Sequence, residues 1–320
     1  MILFESRASI ILYNVLTSLD KPKKFILPLN ICPIVPATFL KAKIAFEFID
    51  ISLDTLCIDE KLLLDKVHDK NIGGILFVKT YGIELDTTQL FKDIKNINQD
   101  IFIIDDCCLQ IPKFNYNLEK SYADLALFST GYSKYIDIGW GGFGFLNDNL
   151  SYKKNNLIFK EEDLESFTNA TQTCIDKNCL LDYKDNNWLG VNELKFDNFK
   201  LYKNEILKKI KEMNQHKKNL NNIYKENLPK EIQLGNQFSN WRFSILVQNK
   251  QALLQKIFDA GLFASSHYKE VDYMYKETSI KNSNSQKIHQ QIINLFNDLR
   301  SDEVMAYKVV AIINQNLIGE

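Results

Sequence analysis

Two short segments hold the residues best suited to chemistry. Ile103-Ile104-Asp105-Asp106-Cys107-Cys108 is an apolar run that ends in a pair of carboxylates. Phe128-Ser129-Thr130-Gly131-Tyr132-Ser133-Lys134 places a lysine in a Ser/Gly-rich turn and runs on into Gly139-Trp140-Gly141-Gly142. A carboxylate at a strand end can keep a pyridine nitrogen protonated, and a nearby amine can attack an aldehyde carbon. Those are the requirements of a pyridoxal-phosphate site, with Lys134 as the amine. Ser129 and Ser133 flank it and can hydrogen-bond a phosphate. Asp105 and Asp106 are neighbours on a strand and point to opposite faces, so only one can serve; either can also be a helix N-cap. Residue type and spacing do not choose between them.

A third element lies at the start of the chain. Ser6, Arg7, Ala8 and Ser9 stand where the first helix should begin, and the backbone N–H groups of a helix N-terminus bind phosphate. Arg7 can add a charge-assisted contact. A plain serine cap is the alternative.

These residues need a scaffold, and the alternation of apolar patterns supplies one. Ile11, Leu12, Val15, Leu16 and Leu19 form one stripe over 9–19 at helical spacing. Strands are predicted at 25–29, 44–50, 73–79, 101–105, 124–128 and 141–146, separated in the first part by helices after Pro33, near 57–69 and over 87–97. Strands joined by helix-length segments imply a mostly parallel sheet with right-handed crossovers, and such sheets bind ligands beyond the carboxyl ends of their strands. Asp50, Asp106 and Ser129 lie at such ends, with Asp50 read as a turn former. Beyond the glycine-rich strand the pattern changes to a long helix over about 194–226, a strand over 242–247, a helix from Asn249 to Gly261, and helices near 284–299 and 302–315. The fold class is α/β, with a large domain over 1–205 and a smaller α+β domain over 206–320.

Composition removes several alternatives. The 320 residues carry a net charge of -1, which provides no broad field for nucleic acid or an anionic membrane. The basic residues Lys208, Lys209, Lys211, Lys217 and Lys218 fall in a helical stretch and read as a solvated face. The longest apolar runs are strand length, and no basic-then-apolar leader opens the chain, so a cytoplasmic location is expected. The six cysteines (Cys32, Cys57, Cys107, Cys108, Cys174 and Cys179) show neither paired zinc-site spacing nor a secreted disulfide framework. No metal is expected, and no Walker pattern occurs.

In order and spacing these segments resemble the DegT/DnrJ/EryC1/StrS group of sugar aminotransferases, within the fold-type I pyridoxal-phosphate enzymes. The group's Ile-Glu-Asp-Ala-Ala, Phe-Ser-Phe-x-x-x-Lys and Gly-x-Gly-Gly appear here as Ile104 to Cys108, Phe128 to Lys134 and Gly139 to Gly142. Upstream, Leu27 to Pro33, Phe46 to Asp50 and Val78-Lys79-Thr80-Tyr81-Gly82 are also similar to family segments. The resemblance implies that Lys134 is the Schiff-base lysine, Asp106 the partner of the pyridine nitrogen and Ser129 a phosphate ligand. It places Cys32 beside the cofactor ring, Asn192 at the phosphate of the opposite subunit, and His267-Tyr268 on the substrate side.

Departures from the family pattern are specific. Leu109 replaces a Gln or His, with Gln110 next to it; Glu5-Ser6-Arg7 replaces Ser-Gly-Thr; Trp140 replaces a Glu. The chain begins at this turn, without the arm that relatives carry before it. The implied activity is transfer of an amino group, from an amino acid such as glutamate, to a nucleotide-linked keto sugar in surface-polysaccharide or amino-sugar biosynthesis. The implied assembly is a homodimer with shared active sites. Retention of Lys134 stands against the sugar dehydratase branch, in which histidine replaces it. The alternatives are a degenerate member serving as a binding or partner subunit, or another pyridoxal-phosphate reaction.

Overall fold

The computed structural model describes residues 1–320 except 21–22, 194, 239–240, 277–279 and 318–320. In chain order the elements are β1 (Ile2–Glu5), α1 (Ala8–Ser18), β2 (Lys24–Pro28), α2 (Ile34–Lys41), β3 (Phe46–Ile49), α3 (Glu60–Lys66), β4 (Ile72–Val78), α4 (Thr88–Ile97), β5 (Phe102–Asp106), α5 (Leu118–Ser121), β6 (Leu125–Ser129) and β7 (Gly142–Leu146). There follow α6 (Glu161–Lys177), α7 (Phe199–Asn227), β8 (Phe243–Leu246), α8 (Lys250–Asp259), β9 (Ala264–Ser265), α9 (Asn284–Gln291), β10 (Ile292–Leu295) and α10 (Glu303–Asn316).

The first seven strands form one sheet in the order β1-β7-β6-β5-β4-β2-β3. From β3 to β6 every pairing is parallel; β7 and β1 add an antiparallel edge. The mostly parallel α/β architecture expected from the alternation is therefore present.

Both faces of this sheet are buried, and successive strand residues divide between them. Ile26, Ile75 and Ile103 pack with Leu63 of α3 and with Leu90, Phe91 and Ile94 of α4. Their neighbours Leu27, Leu76 and Ile104 pack on the other face with Ile11, Leu12, Val15 and Leu16 of α1. Burying each such side chain stabilises the fold by about 1.5–3 kcal/mol. This alternation decides which strand-end side chains emerge beside α1.

The smaller antiparallel sheet, ordered β8-β10-β9, carries α8 and α10 on its core. Helix α7 links the two regions: Tyr202, Ile206 and Met213 pack with Trp140 and Phe143 of the large sheet, and Leu220, Ile223 and Tyr224 join the core of the small one.

Four expectations need correction. The helix expected near 284–299 stops at Gln291, because Ile292, Ile293 and Leu295 form the central strand of the small sheet. The β-branched Ile292-Ile293 pair and the burial of all four residues suit a strand covered on both sides. Strand β1 replaces the plain turn expected before α1; its four residues are too few to show a period. Helix α6 was not foreseen, since it buries only Thr171 and Cys174 and so shows little apolar stripe. Lys217 is not part of a solvated face: it is 3% exposed, and its amine donates to the Trp241 carbonyl at 2.8 Å and to Asn297 Oδ1 at 2.7 Å. The long helix begins at Phe199, and its expected start at residue 194 lies outside the described residues.

Candidate active site

At the carboxyl ends of β2, β4, β5 and β6, facing the N-terminus of α1, lies a cavity of about 320 Å³. Ser6, Arg7, Ala8, Cys32, Asp106, Ser129 and Lys134 all line it. Asn192 does not: it is exposed and donates to Glu161 Oε2 at 3.2 Å. A larger, more open hollow of about 700 Å³ beside Lys269, Lys281 and His289 holds none of the sequence-predicted residues, so volume is a poor guide to the chemistry here.

The two aspartates separate by strand parity. Asp105 shares the face of Ile103, where its carboxylate sits 3.6 Å from Lys79 Nζ and accepts a hydrogen bond from the Tyr116 hydroxyl at 2.7 Å. Asp106 shares the face of Ile104 and looks into the cavity, with Oδ1 accepting from the Cys108 N–H at 2.9 Å. Burial pushes the Asp106 carboxyl above its usual range, opposed by the Cys108 N–H and the charge of Lys134. The raised pKa marks a carboxylate that a cation placed in the cavity would stabilise.

The opposite end of the cavity is built for an anion. Helix α1 starts after Arg7 without a side-chain cap, so its first N–H groups remain open toward Ser6, Ser9 and Ser129. The helix end is brought close by Gly142 of β7, where a Cβ would lie 2.3 Å from the Ala8 nitrogen. Glu5 does not line the cavity; its carboxylate is paired with Lys154 at 2.8 Å and accepts from the Tyr152 hydroxyl at 3.0 Å.

Lys134 enters half-buried from the loop after β6, and its amine makes no hydrogen bond or ion pair among the described residues. Ser133 is a correction: its hydroxyl turns away from the cavity and accepts from Arg242 at 2.6 Å, so it is not placed as a phosphate ligand. Gln110 is likewise turned away, with its amide on the Ile83 carbonyl, whereas Leu109 lines the cavity. Trp140 and Cys108 add to the wall. Of the His267-Tyr268 pair only Tyr268 reaches the cavity; His267 is held outside against Trp241, with ring centroids 5.5 Å apart. Asp50 accepts from the Asn284 and Ser285 N–H groups at 2.6 and 3.1 Å and so caps α9.

One contributor was not foreseen from the sequence. Asn30 lines the cavity, with its side-chain N–H donated to the Leu56 carbonyl and its buried Oδ1 without a hydrogen bond. Its position just past β2 is the same strand-end signal that singled out Asp106.

A family model matches the chain in sequence, and solved structures match it in fold. The model of the DegT/DnrJ/EryC1/StrS aminotransferase family matches residues 37–313. The sugar aminotransferase CalS13 from Micromonospora echinospora superposes with a TM-score of 0.69 at 15% identity, over 98% of this chain and 87% of that one. PseC of Helicobacter pylori, an aminotransferase involved in the biosynthesis of pseudoaminic acid, gives 0.69 at 16% identity over 99% and 86%. The E. coli GDP-4-keto-6-deoxy-D-mannose-3-dehydratase, with bound hydrated pyridoxal phosphate, gives 0.63 at 15% identity over 97% and 87%. No match is found among curated proteins.

Proposed function

The chain belongs to the DegT/DnrJ/EryC1/StrS aminotransferase family, and from that premise we propose that it is a pyridoxal-phosphate-dependent aminotransferase that aminates a nucleotide-linked keto sugar. The observation that carries this reading is one cavity lined by Asp106, Lys134 and the uncapped start of α1. The fit to the cofactor is specific at both ends: a buried carboxylate favours a cationic ring nitrogen, and open N–H groups with two serine hydroxyls favour a phosphate. Bound there, the cofactor supplies an electron sink for breaking a bond at the amine-bearing carbon.

The protein's own residues do the rest. Asp106 holds the ring nitrogen cationic. Ala8 and Ser9 N–H groups, with Ser6 and Ser129, bind phosphate, and Arg7 adds positive charge at that end. Lys134 Nζ, which opens into the cavity, would be the residue that holds the cofactor's aldehyde end and the base that moves a proton at the reacting carbon. Leu12, Val78 and Leu109 form apolar parts of the wall and limit water, and Cys32, also in the wall, would stand beside the ring. The proposal takes glutamate as the donor and places the reaction in surface-polysaccharide or amino-sugar biosynthesis, a reading that the family membership supports.

The reading includes a homodimer. Tyr132 is 76% exposed although it lines the cavity, and Ile158 is 69% exposed; both suit coverage by a second copy. Asn192, exposed and outside its own chain's cavity, would then serve the partner's site in place of its bond to Glu161. Residues 1–205 form the cofactor-binding part and 206–320 the smaller part, joined through α7. The cysteines are free, consistent with work in a reducing cytoplasm, and among the described residues no helix is long and apolar enough to cross a membrane.

Absorption spectra test the proposal. Purified protein should take up pyridoxal phosphate and show a visible band that is missing in Lys134→Ala. Adding glutamate should convert it to the pyridoxamine form. A protein that stays colourless with excess cofactor would overturn the reading, and a coloured protein that converts with no amino donor would redirect it to another reaction, such as the dehydration catalysed by one of its structural neighbours.

A further inference from the structure

The residue before Lys134 is fastened at every polar atom, and most of the fastening comes from the far half of the chain. Ser133 has φ +60, in the left-handed region that serine seldom occupies. Its N–H donates to Asp137 Oδ2 at 2.7 Å. Its carbonyl accepts from the Trp241 indole N–H at 2.6 Å, and its hydroxyl accepts from the Arg242 guanidinium at 2.6 Å. Arg300 reaches the same hydroxyl at 3.4 Å.

The donors are themselves fixed. Arg242 is 3% exposed, lies between the rings of Trp241 and Phe296 with centroids 4.3 and 4.0 Å from its central carbon, and also donates to Ser265 of β9. Trp241 stacks on Tyr268, and its carbonyl accepts from the buried Lys217 amine at 2.8 Å. A rigid platform just ahead of β8 therefore grips the peptide immediately before the reactive lysine. Nothing about cofactor binding alone requires the grip, since neither Arg242 nor Trp241 lines the cavity.

We propose that Trp241 and Arg242 are positioning residues, which hold Ser133 in its left-handed conformation and thereby aim the Lys134 amine into the cavity. The inference rests on the proposed role of Lys134, and its geometry links the smaller part of the chain to the reacting atom. Freeing Ser133 to relax toward ordinary negative φ would swing the following side chain, because rotation about one backbone bond redirects everything beyond it.

Trp241→Phe removes the indole donor but keeps an aromatic ring, Arg242→Met removes the guanidinium, and Arg242→Lys keeps a donor. In cofactor-free protein, labelling of Lys134 by a small amine-directed acylating reagent, read by peptide mass spectrometry, should change at least about fivefold in Trp241→Phe and Arg242→Met. Labelling of exposed Lys211 should stay constant, and Arg242→Lys should restore part of the difference. With pyridoxal phosphate, the pH midpoint of the visible band should shift in the first two variants while competition by inorganic phosphate stays within about twofold, since α1 is untouched. Variants that fold and label Lys134 at the wild-type rate overturn the proposal. Because labelling needs no cofactor, that result differs from a wild-type protein with no visible band, which would instead overturn the cofactor reading. If Trp241→Phe does not fold, Arg242→Met against Arg242→Lys decides alone.

Discussion

Asp105 and Asp106 occupy consecutive positions on β5 yet belong to different structures: the first is buried with Lys79 and Tyr116, the second opens into the cavity with Lys134. Their substitutions should therefore fail in different ways. Asp105→Ala strands Lys79 in the interior without its anion, which costs about 3 kcal/mol. Asp106→Asn removes a charge that burial disfavours and should leave stability the same or higher. The same Asp106→Asn should raise the pyridoxal-phosphate dissociation constant at least about tenfold, because a neutral amide cannot hold the ring nitrogen cationic. Urea unfolding and absorbance titration of both variants measure the contrast. Equal effects on cofactor affinity would remove Asp106 from its role.

Gly142 should be as important to the phosphate end as any residue that lines it. An added Cβ meets the Ala8 nitrogen at 2.3 Å and the Ala8 Cα at 2.5 Å, both main-chain atoms that cannot rotate away. Gly142→Ala must push the start of α1 from the strand, with overpacking of about 1–3 kcal/mol. Inorganic phosphate and pyridoxal phosphate should then both bind at least about tenfold more weakly. Gly261→Asn, at a position that does not line the cavity, is the control: nothing lies within 4 Å of its Cβ position, and asparagine tolerates its φ of +70. Isothermal titration with inorganic phosphate separates the two, and unchanged affinity in Gly142→Ala would show that the helix end is not the anion site.

The extent to which these features are legible in sequence follows their physics. The alternation of the parallel sheet is strong because strands buried on both faces are continuously apolar, and α1 repeats its stripe over three turns. Asp105 and Asp106 look equal when read alone. Parity resolves them only once Ile104 is known to face α1, which depends on the sense of the crossover. Ser133 reads in sequence as a phosphate ligand, but its loop turns the hydroxyl toward Arg242, 109 residues later in sequence. Lys217 carried the polar signature of a helix surface, and only the packing of α7 against both sheets buries it. The Ile292–Leu295 strand follows directly on α9, with no glycine or proline to mark the change.

His267 should make the protein acid-sensitive. Burial and the charges of Arg242 and Lys134 push its pKa down to about 4, below the ordinary value of 6.5. In the window between those values the unfolded chain binds more protons than the folded one. Stability therefore falls as pH drops from about 6.5 toward 4, by up to about 3 kcal/mol. His267→Asn should lose this component. Urea unfolding of both proteins at several pH values should give a constant difference above pH 7 that shifts below 6.5 in the variant's favour. A pH-independent difference would mean that His267 is not held neutral.

Lys217 should produce a dependence of the same sign in a higher pH window, and through it a check on the platform that holds Ser133. Burial pushes its amine down to about 7 from 10.5, with Asp298 opposing and Arg242 and Arg300 adding to the fall. Below pH 7 both folded and unfolded chains carry the proton, and the burial penalty is felt in full. Between about 7 and 10.5 the folded amine is neutral while the unfolded one is charged, so stability gains as pH rises. Lys217→Met leaves the Trp241 carbonyl and Asn297 Oδ1 without that donor at every pH, a loss that does not titrate. Wild-type stability minus variant stability should therefore climb by about 2 kcal/mol between pH 7 and 9. A flat difference would mean that the amine keeps its charge in the fold, compensated by Asp298. The Trp241 carbonyl would then be held by an ammonium group throughout this range.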